Sequence, residues 1–343
     1  MRGRDGQGTI EVMPHVVAAP DKFRGTATAR LVAAAVAHAA RAAGWSCDQA
    51  PIADGGEGLL DVVAGRMRRS DVRDPLGRIV SAQWKIDGTT AVVEMAQASG
   101  LTLVGGPAGN DPVAADTAGT GQLIAAAVKE GAKRVVVGVG GSATTDGGLA
   151  ALRALEPHSR LHGVHLVVAC DVQTRFLDAA ATFSPQKGAT PTQVELLARR
   201  LDRLALLYQE QYGVDVRPLP GGGAAGGLAG GLAAIGAELV AGFEVVADAV
   251  DLAERMEGAD LVVTGEGLLD EQSFHGKAVG GVLELARELE VPVMVVAGDI
   301  DWEGVGDVPA PCVSLVERFG RQRAMEDTLA CVGEVVSEFL ARA

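Results

Sequence analysis

Five short, nearly continuous apolar runs constrain the fold of this chain more than any other feature. They are rich in β-branched residues, have the length of strands and lie at residues 15–19, 134–139, 165–170, 260–264 and 291–297. Strands covered on both faces of a parallel sheet show this pattern, whereas half-exposed strands alternate apolar and polar residues. Amphipathic helical patterns lie between the runs, at residues 26–43, 120–130 and 277–289. Strands that alternate with helices predict an α/β fold.

Residues 70–95 interrupt this alternation. Two short apolar runs there flank Asp87 and Gly88, a pair typical of the tight turn of a β-hairpin. A hairpin after a βα unit predicts that a second, mixed-sheet domain begins near residue 75. From residue 277 onward, helical and strand patterns alternate again and would complete the parallel sheet begun at residue 15.

The predicted fold class is therefore α/β, with two α/β domains. Residues 1–75 and 285–343 would form a discontinuous, Rossmann-like domain with a parallel sheet. Residues 76–284 would be inserted in it as an α/β domain with a mixed sheet and glycine-rich phosphate-binding loops. We expect the active site in the cleft between the two domains.

Charge and composition limit the partners of the chain. Its 30 Lys and Arg residues against 44 Asp and Glu residues give a formal net charge of −14, the wrong sign for binding nucleic acid. The sequence contains neither a signal-peptide run nor a strongly apolar window of membrane-spanning length. We therefore expect a cytoplasmic protein with no membrane partner, and the sequence leaves open whether it is a monomer or a homo-oligomer.

Polar residues cluster directly after the apolar runs. In open α/β sheets ligands bind at the carboxyl ends of the strands, so we expect these residues in one shared pocket. The candidates after the first four runs are Asp21, Lys22, Arg24, residues 140–148, Asp171, Glu266 and Asp270. Asp54 and Glu57 join them because they stand in a glycine-bounded turn.

Two glycine-rich segments have features of an anion-binding loop. Residues 140–148 (GGSATTDGG) and 221–227 (GGGAAGG) each precede a helical pattern, and glycines let the backbone approach a phosphate closely. The chain contains no Walker A motif, and residues 138–143 do not match GxGxxG. A tight strand-to-helix turn for the first segment and close helix packing for the second stay open as structural alternatives.

The charged residues in these loops fit a phosphate site. Carboxylates such as Asp171 and Glu266 could hold Mg²⁺ or accept a hydroxyl proton, because hard oxygen ligands suit that ion. Lys22, Arg24 and Lys187 could neutralise phosphate or carboxylate, although each could instead form a surface ion pair. His275 is either a functional side chain or a capping one. His158, His162 and His165 are not expected to bind a metal, since Pro157 and Gly163 break the helix that would align them.

Eight segments in register resemble the bacterial glycerate kinase family of the glycerate 2-kinase type. They are residues 19–25 (APDKFRG), 51–58 (PIADGGEG), 93–101 (VEMAQASGL), 140–148 (GGSATTDGG), 169–172 (ACDV), 183–189 (FSPQKGA), 221–227 (GGGAAGG) and 259–277 (ADLVVTGEGLLDEQSFHGK). The resemblance implies a two-domain α/β kinase that phosphorylates D-glycerate with ATP and a divalent metal, usually Mg²⁺. We favour 2-phosphoglycerate as the product.

On this reading we assign a candidate role to each loop residue. The candidate catalytic residues are Asp171, Lys22, Glu266 and Asp270, and Asp171 and Glu266 are also the candidate Mg²⁺ ligands. The candidate substrate-binding residues are Asp21, Arg24, Asp54, Glu57, Lys187 and His275. The candidate residues for the ATP phosphates are Gly140, Gly141, Ser142, Ala143, Thr144, Thr145, Gly221, Gly222 and Gly223.

The chain departs from the family pattern in several places. The family usually has Asn where Thr145 stands, Gly where Ser184 stands and Arg where Leu268 stands. Residues 173–176 replace an Asp-Asn-Pro-Leu-like sequence, and the segment before Cys170 is shorter than usual. These departures keep two alternatives open: a kinase for another small hydroxy acid, or a weakly active paralogue that binds glycerate as a metabolite sensor.

Overall fold

Two separate β-sheets organise the chain. The computed structural model describes residues 13–53, 55–56, 58–274, 277–306 and 308–342. Unit 1 comprises the chain up to Pro51, Leu252–Gln272 and the chain from Val282 onward. Unit 2 comprises Ile52–Asp251 and Ser273–Gly281. Each sheet belongs to one unit, so unit 2 interrupts unit 1 along the sequence.

The strands are β1 (His15–Pro20), β2 (Ser46–Gln49), β3 (Arg66–Arg73), β4 (Ile79–Asp87), β5 (Thr90–Glu94), β6 (Arg134–Gly138), β7 (His165–Ala169), β8 (Glu238–Val240), β9 (Leu261–Leu269), β10 (Val293–Ile300) and β11 (Cys312–Ser314). The α-helices are α1 (Ala29–Ala42), α2 (Leu59–Val62), α3 (Ala96–Ser99), α4 (Ala118–Lys129), α5 (Leu149–Ala154), α6 (Ala179–Phe183), α7 (Pro191–Tyr212), α8 (Ala224–Ala234), α9 (Gly242–Ala249), α10 (Leu252–Met256), α11 (Ala278–Glu288), α12 (Trp302–Val305), α13 (Leu315–Phe319), α14 (Arg321–Glu326) and α15 (Thr328–Leu340). Short 3₁₀ helices lie at Leu101–Val104, His158–Leu161, Phe176–Asp178, Pro185–Lys187 and Glu271–Phe274.

The sheet of unit 1 is fully parallel, in the order β11-β10-β9-β1-β2. Its central strands are buried on both faces, which is why they read as continuous apolar runs. Helices α1 and α15 pack against each other on this sheet, with Val32, Val36, Val332 and Val336 buried in the core. Helix α1 begins after Thr28, whose side chain accepts a hydrogen bond from the amide of Leu31.

The sheet of unit 2 is mixed, in the order β3-β4-β5-β6-β7-β8. Strands β3, β4 and β5 are antiparallel, and β5 to β8 run parallel. The predicted hairpin is present, because Asp87 pairs with Thr90 across a turn in which Gly88 has a φ of 52°. The core of unit 2 is one large apolar cluster to which α4, α5, α7 and α8 contribute. The predicted fold class, a parallel sheet and a mixed sheet in an α/β chain, is confirmed.

The unit boundaries fall at other residues than 75 and 284. Residues 52–75 belong to unit 2, since β3 pairs with β4 along its whole length. Residues 252–272 belong to unit 1, since β9 lies between β1 and β10 in the parallel sheet. The loop that carries Glu266 and Asp270 is therefore part of the parallel-sheet unit and not of the inserted one. Among the residues described, no helix is both long and apolar enough to cross a membrane.

Candidate active site

The loop at residues 140–148, called the GGS loop here, connects β6 to α5 in unit 2. Gly141, Gly147 and Gly148 have φ values of 65°, 66° and 81°, a region that L side chains rarely adopt. The amide of Ala143 donates to the carbonyl of Ser99 at 2.9 Å, which anchors the start of the loop. The sequence folds into this tight path because glycine stands at each left-handed position.

A buried carboxylate fixes the end of the GGS loop. Asp146 accepts hydrogen bonds from the amide and the hydroxyl of Thr117, at 3.0 and 2.8 Å. It also accepts from the amides of Gly148 at 3.2 Å and Ala150 at 3.3 Å. Burial raises the pKa of Asp146, and these hydrogen bonds oppose that effect. One side chain thus holds the loop to the start of α4 and to α5.

Lys187 is buried against the same loop, with 2% of its surface exposed. Its Nζ donates to the carbonyl of Thr144 at 2.6 Å. Burial lowers the pKa of Lys187 to about 7, and the negative charge of Asp146 partly offsets this shift. Asn110 adds a bridge, because its Nδ2 donates to the carbonyls of Ala143 at 3.0 Å and Lys187 at 2.9 Å.

A cavity of about 410 Å³ opens beside the GGS loop. Gly141, Ser142, Gln186 and Lys187 line it, together with the segment 224–225 at the start of α8. The cavity brings one glycine-rich segment, the beginning of the other and a buried amine to one place. The hydroxyls of Thr144 and Thr145 are buried nearby without a hydrogen-bond partner in the described part of the chain.

The second glycine-rich segment packs tightly on the first. A Cβ on Gly226, whose φ is 68°, would lie 2.0 Å from the carbonyl oxygen of Thr144. The carbonyl of Gly226 accepts from the amide of Gly147 at 3.0 Å. The amides of Gly222 and Gly223 donate within the chain, to the carbonyls of Leu219 at 3.1 Å and Thr174 at 2.9 Å. Close packing, the structural alternative for this segment, therefore accounts for Gly226 and occupies two of the predicted amide donors.

Asp171 follows β7 at the same end of the unit 2 sheet. Its Oδ1 accepts a hydrogen bond from the amide of Gly242 at 2.6 Å. The described part of the segment 51–58 lies close by, because a Cβ on Gly55 would come 2.3 Å from the Cα of Gly242. A Cβ on Gly56 would lie 3.4 Å from the Cα of Gly140. Asp171, the GGS loop and this turn thus share one edge of the sheet.

The buried Glu94 holds the backbone at Gly58 and Leu60. It ends β5, and its Oε1 accepts from the amides of Gly58 at 3.0 Å and Leu60 at 2.8 Å. Burial raises the pKa of Glu94, and these hydrogen bonds oppose the rise. The role of Glu94 in the structure is therefore to position the backbone amides of Gly58 and Leu60.

In unit 1, two loops of the parallel sheet meet at its carboxyl edge. Pro20 of β1 pairs with Gly265 of β9, and the amide of Asp21 donates to the carbonyl of Gly265 at 2.8 Å. A Cβ on Gly267 would lie 2.8 Å from the amide nitrogen of Arg24. The structure therefore brings the predicted group of Asp21, Lys22 and Arg24 next to the loop that carries Glu266. Asp270 follows directly after β9.

Comparison with known proteins identifies the family. A model of the glycerate kinase family matches residues 16–158 and 155–338. This chain belongs to the glycerate kinase family. The glycerate kinase of Bacillus subtilis (strain 168) is 38% identical over 325 residues, which cover 83% of this chain and 85% of that protein. The glycerate 2-kinase of Escherichia coli (strain K12) is 37% identical over 326 residues, with the same two coverages of 83% and 85%.

A solved structure agrees with this family. The crystal structure of a candidate glycerate kinase 2 from Salmonella typhimurium LT2 superposes with a TM-score of 0.84 at 34% sequence identity. The match covers 96% of this chain and 98% of that one. The resemblance predicted from the eight segments is confirmed, and the chain is a kinase of this family.

The sequence-predicted residues of this glycerate kinase family member fall into three groups. Unit 2 holds the GGS loop, Lys187, Asp171 and the segment 221–223. Unit 1 holds Asp21, Lys22, Arg24, Glu266 and Asp270. The predicted Asp54, Glu57 and His275 lie outside the described residues.

Four side chains that shape the site were not predicted as functional from the sequence: Asp146, Asn110, Thr117 and Tyr208. Asp146 stands inside the quoted GGSATTDGG motif, which was the available signal. Asn110 and Thr117 stand in a segment that reads as an ordinary loop, and Tyr208 stands in a long helix. The hydroxyl of Tyr208 donates to the carbonyl of Gly147 at 2.9 Å. Their contacts with the GGS loop are long-range in sequence, so no local pattern announces them.

The histidines expected not to bind a metal have other contacts. His158 Nε2 lies 3.0 Å from the carbonyl oxygen of Leu152, and His165 Nε2 lies 2.9 Å from Glu238 Oε2. The described portion of the chain contains no group of three or more His, Cys, Asp or Glu side chains arranged to hold a metal ion.

Proposed function

We propose that this kinase transfers the γ-phosphoryl group of ATP to the 2-hydroxyl of D-glycerate, giving ADP and 2-phosphoglycerate. The names of the Bacillus subtilis and Escherichia coli relatives support glycerate as the acceptor. The observation that carries the proposal is the cavity where Gly141, Ser142 and the buried Lys187 amine meet. Phosphoryl transfer depends on positioning and charge neutralisation more than on a covalent nucleophile, and this cavity offers both.

In this proposal the GGS loop binds the phosphates of ATP through residues 140–145. Lys187 lines the cavity, and its amine would interact with phosphate oxygens rather than with glycerate. The segment 221–223 would contribute shape, since the amides of Gly222 and Gly223 already donate within the chain.

The residues of unit 1 would handle the acceptor. Lys22 and Arg24 carry the positive charge needed to bind the glycerate carboxylate, and they stand beside the loop of Glu266. Asp21 and Asp270 would orient the acceptor hydroxyl and take its proton. Asp54, Glu57 and His275 stay proposed substrate contacts on sequence grounds.

Asp171 and Glu266 are the residues we propose for Mg²⁺. Carboxylate oxygens are the ligands this ion prefers, and it typically uses one or two of them together with phosphate oxygens. Asp171 fits this chemistry, because the Gly242 amide fixes one carboxylate oxygen at the sheet edge. When bound, the ion would neutralise charge on the transferred phosphoryl group.

The test is an ADP-release assay on the purified chain with ATP, Mg²⁺ and D-glycerate, run beside L-lactate, tartronate and hydroxypyruvate. We expect turnover with D-glycerate and a loss on the order of 100-fold in kcat for Asp171→Asn, because its charge acts in the transition state. Asp71→Asn is the control, since Asp71 is exposed on β3, the edge strand at the far end of the unit 2 sheet from β8. If no acceptor leads to ADP release, the proposal is wrong. ATP binding without ADP release would favour the sensor alternative.

One observation favours a second candidate, a kinase for another small hydroxy acid. Leu268, which replaces the arginine usual in the family, is 52% exposed in the segment that runs beside Arg24. An exposed leucine there cannot supply a guanidinium to an acceptor carboxylate. Turnover of another acid in the same panel, with none for D-glycerate, would establish this candidate.

A further inference from the structure

A second cavity of unit 2 has a different chemistry. Its volume is about 780 Å³, within the range of small-molecule sites. Val172, Leu219, Ala233, Leu239 and Val240 give it mainly apolar walls. Asp171 and Gly221 also line it and carry candidate roles above, whereas its other lining residues carry none; we call this space the apolar pocket.

The described lining of the apolar pocket offers no cationic side chain to an anionic ligand. Among its described lining residues, Asp171 carries the one formal charge, and it is negative. Apolar walls without a cationic side chain do not stabilise a phosphate or a carboxylate. The ligand part that fits is neutral and largely apolar.

The apolar pocket and the cavity beside Lys187 border each other. Val172 lines both of them. Gly221 lines the apolar pocket, and the segment 224–225 of the same glycine-rich stretch lines the other cavity. One ligand with a neutral planar part and an anionic part could occupy both. Gln173 stands at the apolar pocket and offers a carboxamide donor and acceptor to a heteroaromatic edge.

We propose that the apolar pocket binds the adenine base of ATP while the triphosphate lies in the cavity beside Lys187. The inference rests on the proposed function for the identity of the nucleotide. It adds a binding site for the base and places Val172 and Gly221 between base and phosphates.

The decisive experiment compares three ligands on the full chain and on Ala233→Phe by calorimetry. Adenosine carries only the neutral part, inorganic tripolyphosphate carries only the anionic part, and ATP carries both. Ala233 is half-buried near the end of α8, so a phenylalanine there would occupy the pocket without entering the core. We expect losses of about tenfold or more in affinity for adenosine and ATP, and an unchanged affinity for tripolyphosphate.

Ala249→Phe is the matched control, because Ala249 ends α9 and lines a separate cavity of unit 2. It should leave all three affinities unchanged. Thermal unfolding of each variant reports whether it folds.

Unmodified protein gives a second readout that needs no variant. Cys170 lines the pocket, while Cys47 and Cys312 lie in unit 1. Adenosine should slow maleimide labelling of Cys170 and not that of Cys47 or Cys312.

Two results would overturn the inference. If adenosine leaves Cys170 labelling unchanged and Ala233→Phe binds ATP as the unmodified chain does, the base lies elsewhere; ATP turnover in the same preparation would then leave the proposed function standing. If the unmodified chain binds tripolyphosphate but neither adenosine nor ATP, the base site and ATP as phosphoryl donor both fail.

Discussion

The side-chain amine of Lys187 donates a hydrogen bond to the backbone carbonyl of Thr144 at 2.6 Å. This contact joins a buried lysine to the middle of the GGS loop. Asn110 connects the loop to Lys187 a second time, through the carbonyls of Ala143 and Lys187. The loop conformation and the position of the amine are therefore coupled. Changes at either residue should alter phosphate binding before they alter the fold.

Lys187→Met should raise the KM for ATP by about tenfold or more, because a hydrogen bond to a charged group is worth roughly 1.5–3 kcal/mol. Methionine matches the length of the side chain and removes a buried amine, so the melting temperature should stay close to that of the unmodified chain. Lys129→Met, at the exposed end of α4, is the control. Steady-state kinetics with varied ATP measures the effect, and an unchanged KM would remove Lys187 from the phosphate site.

The stability of the chain should depend on pH through Lys187. Its pKa is about 7 in the folded state against 10.5 for an exposed lysine, so the unfolded state binds more protons between these values. The contribution of Lys187 to the free energy of unfolding therefore rises as pH rises through that window. Urea unfolding of the unmodified chain and of Lys187→Met, at pH values near the two ends, gives the difference. A difference that falls with rising pH would contradict this assignment.

Asp146 faces Lys187, and its own effect on stability has the opposite sign. Burial raises its folded-state pKa above 3.8, so its contribution declines as pH rises from that value toward the folded-state pKa. Asp146 is present both in the unmodified chain and in Lys187→Met, so subtracting their free energies of unfolding removes most of its effect.

Steady-state kinetics of the unmodified chain and of Lys187→Met should show the KM for ATP rising above pH 7 in the unmodified chain only, as the Lys187 amine loses its proton.

Asp146→Asn should destabilise the chain by roughly 1–3 kcal/mol, because the amide nitrogen of Asn cannot accept a hydrogen bond and would leave a buried donor unpaired. The carboxylate accepts on Oδ1 from Gly148 and on Oδ2 from Thr117 and Ala150. The midpoint of urea unfolding checks the prediction, with Asp71→Asn, at an exposed position of the edge strand β3, as control. Equal midpoints would show that the protonated form of Asp146, which Asn resembles, is the native one.

Gly226→Ala and Gly236→Ala form a matched pair for the packing of the two glycine-rich segments. Both residues have positive φ, 68° and 96°, so both variants carry the roughly 1–2 kcal/mol cost of left-handed backbone. A Cβ on Gly236 meets nothing within 4 Å, whereas one on Gly226 would lie 2.0 Å from the Thr144 carbonyl oxygen. We expect Gly226→Ala to cost about 1–3 kcal/mol more in chemical unfolding. Equal losses would mean that the segments do not depend on this contact.

The sequence predicted the strands that are buried on both faces and missed more exposed ones, namely β2, β3 and β8. The five apolar runs correspond to β1, β6, β7, β9 and β10, and the hairpin of β4 and β5 followed from its Asp-Gly turn. Strand β3 at the sheet edge reads RMRRSDVR and is largely exposed, so it has no apolar signal. The second unit therefore begins earlier than residue 75. The pairing of β9 with β1 could not be predicted, because residues more than 200 positions apart meet there.

The candidate site likewise has features that the sequence predicts and features that only the folded chain shows. Glycine patterns and strand-end residues located the GGS loop, Asp171 and Lys22. Burial was not visible in the sequence, so the position of Lys187 within the protein, against Thr144, could not be predicted. Asn110 is a polar residue in an irregular segment, and only the folded chain brings its amide to the carbonyls of Ala143 and Lys187.

The most direct test of the account follows the phosphoryl group by ³¹P NMR in a mixture of the chain, ATP, Mg²⁺ and D-glycerate. If the proposed reaction is right, ADP and 2-phosphoglycerate appear in equal amounts as ATP is consumed. Consumption of ATP that yields only inorganic phosphate, or a spectrum in which ATP stays intact, would contradict it.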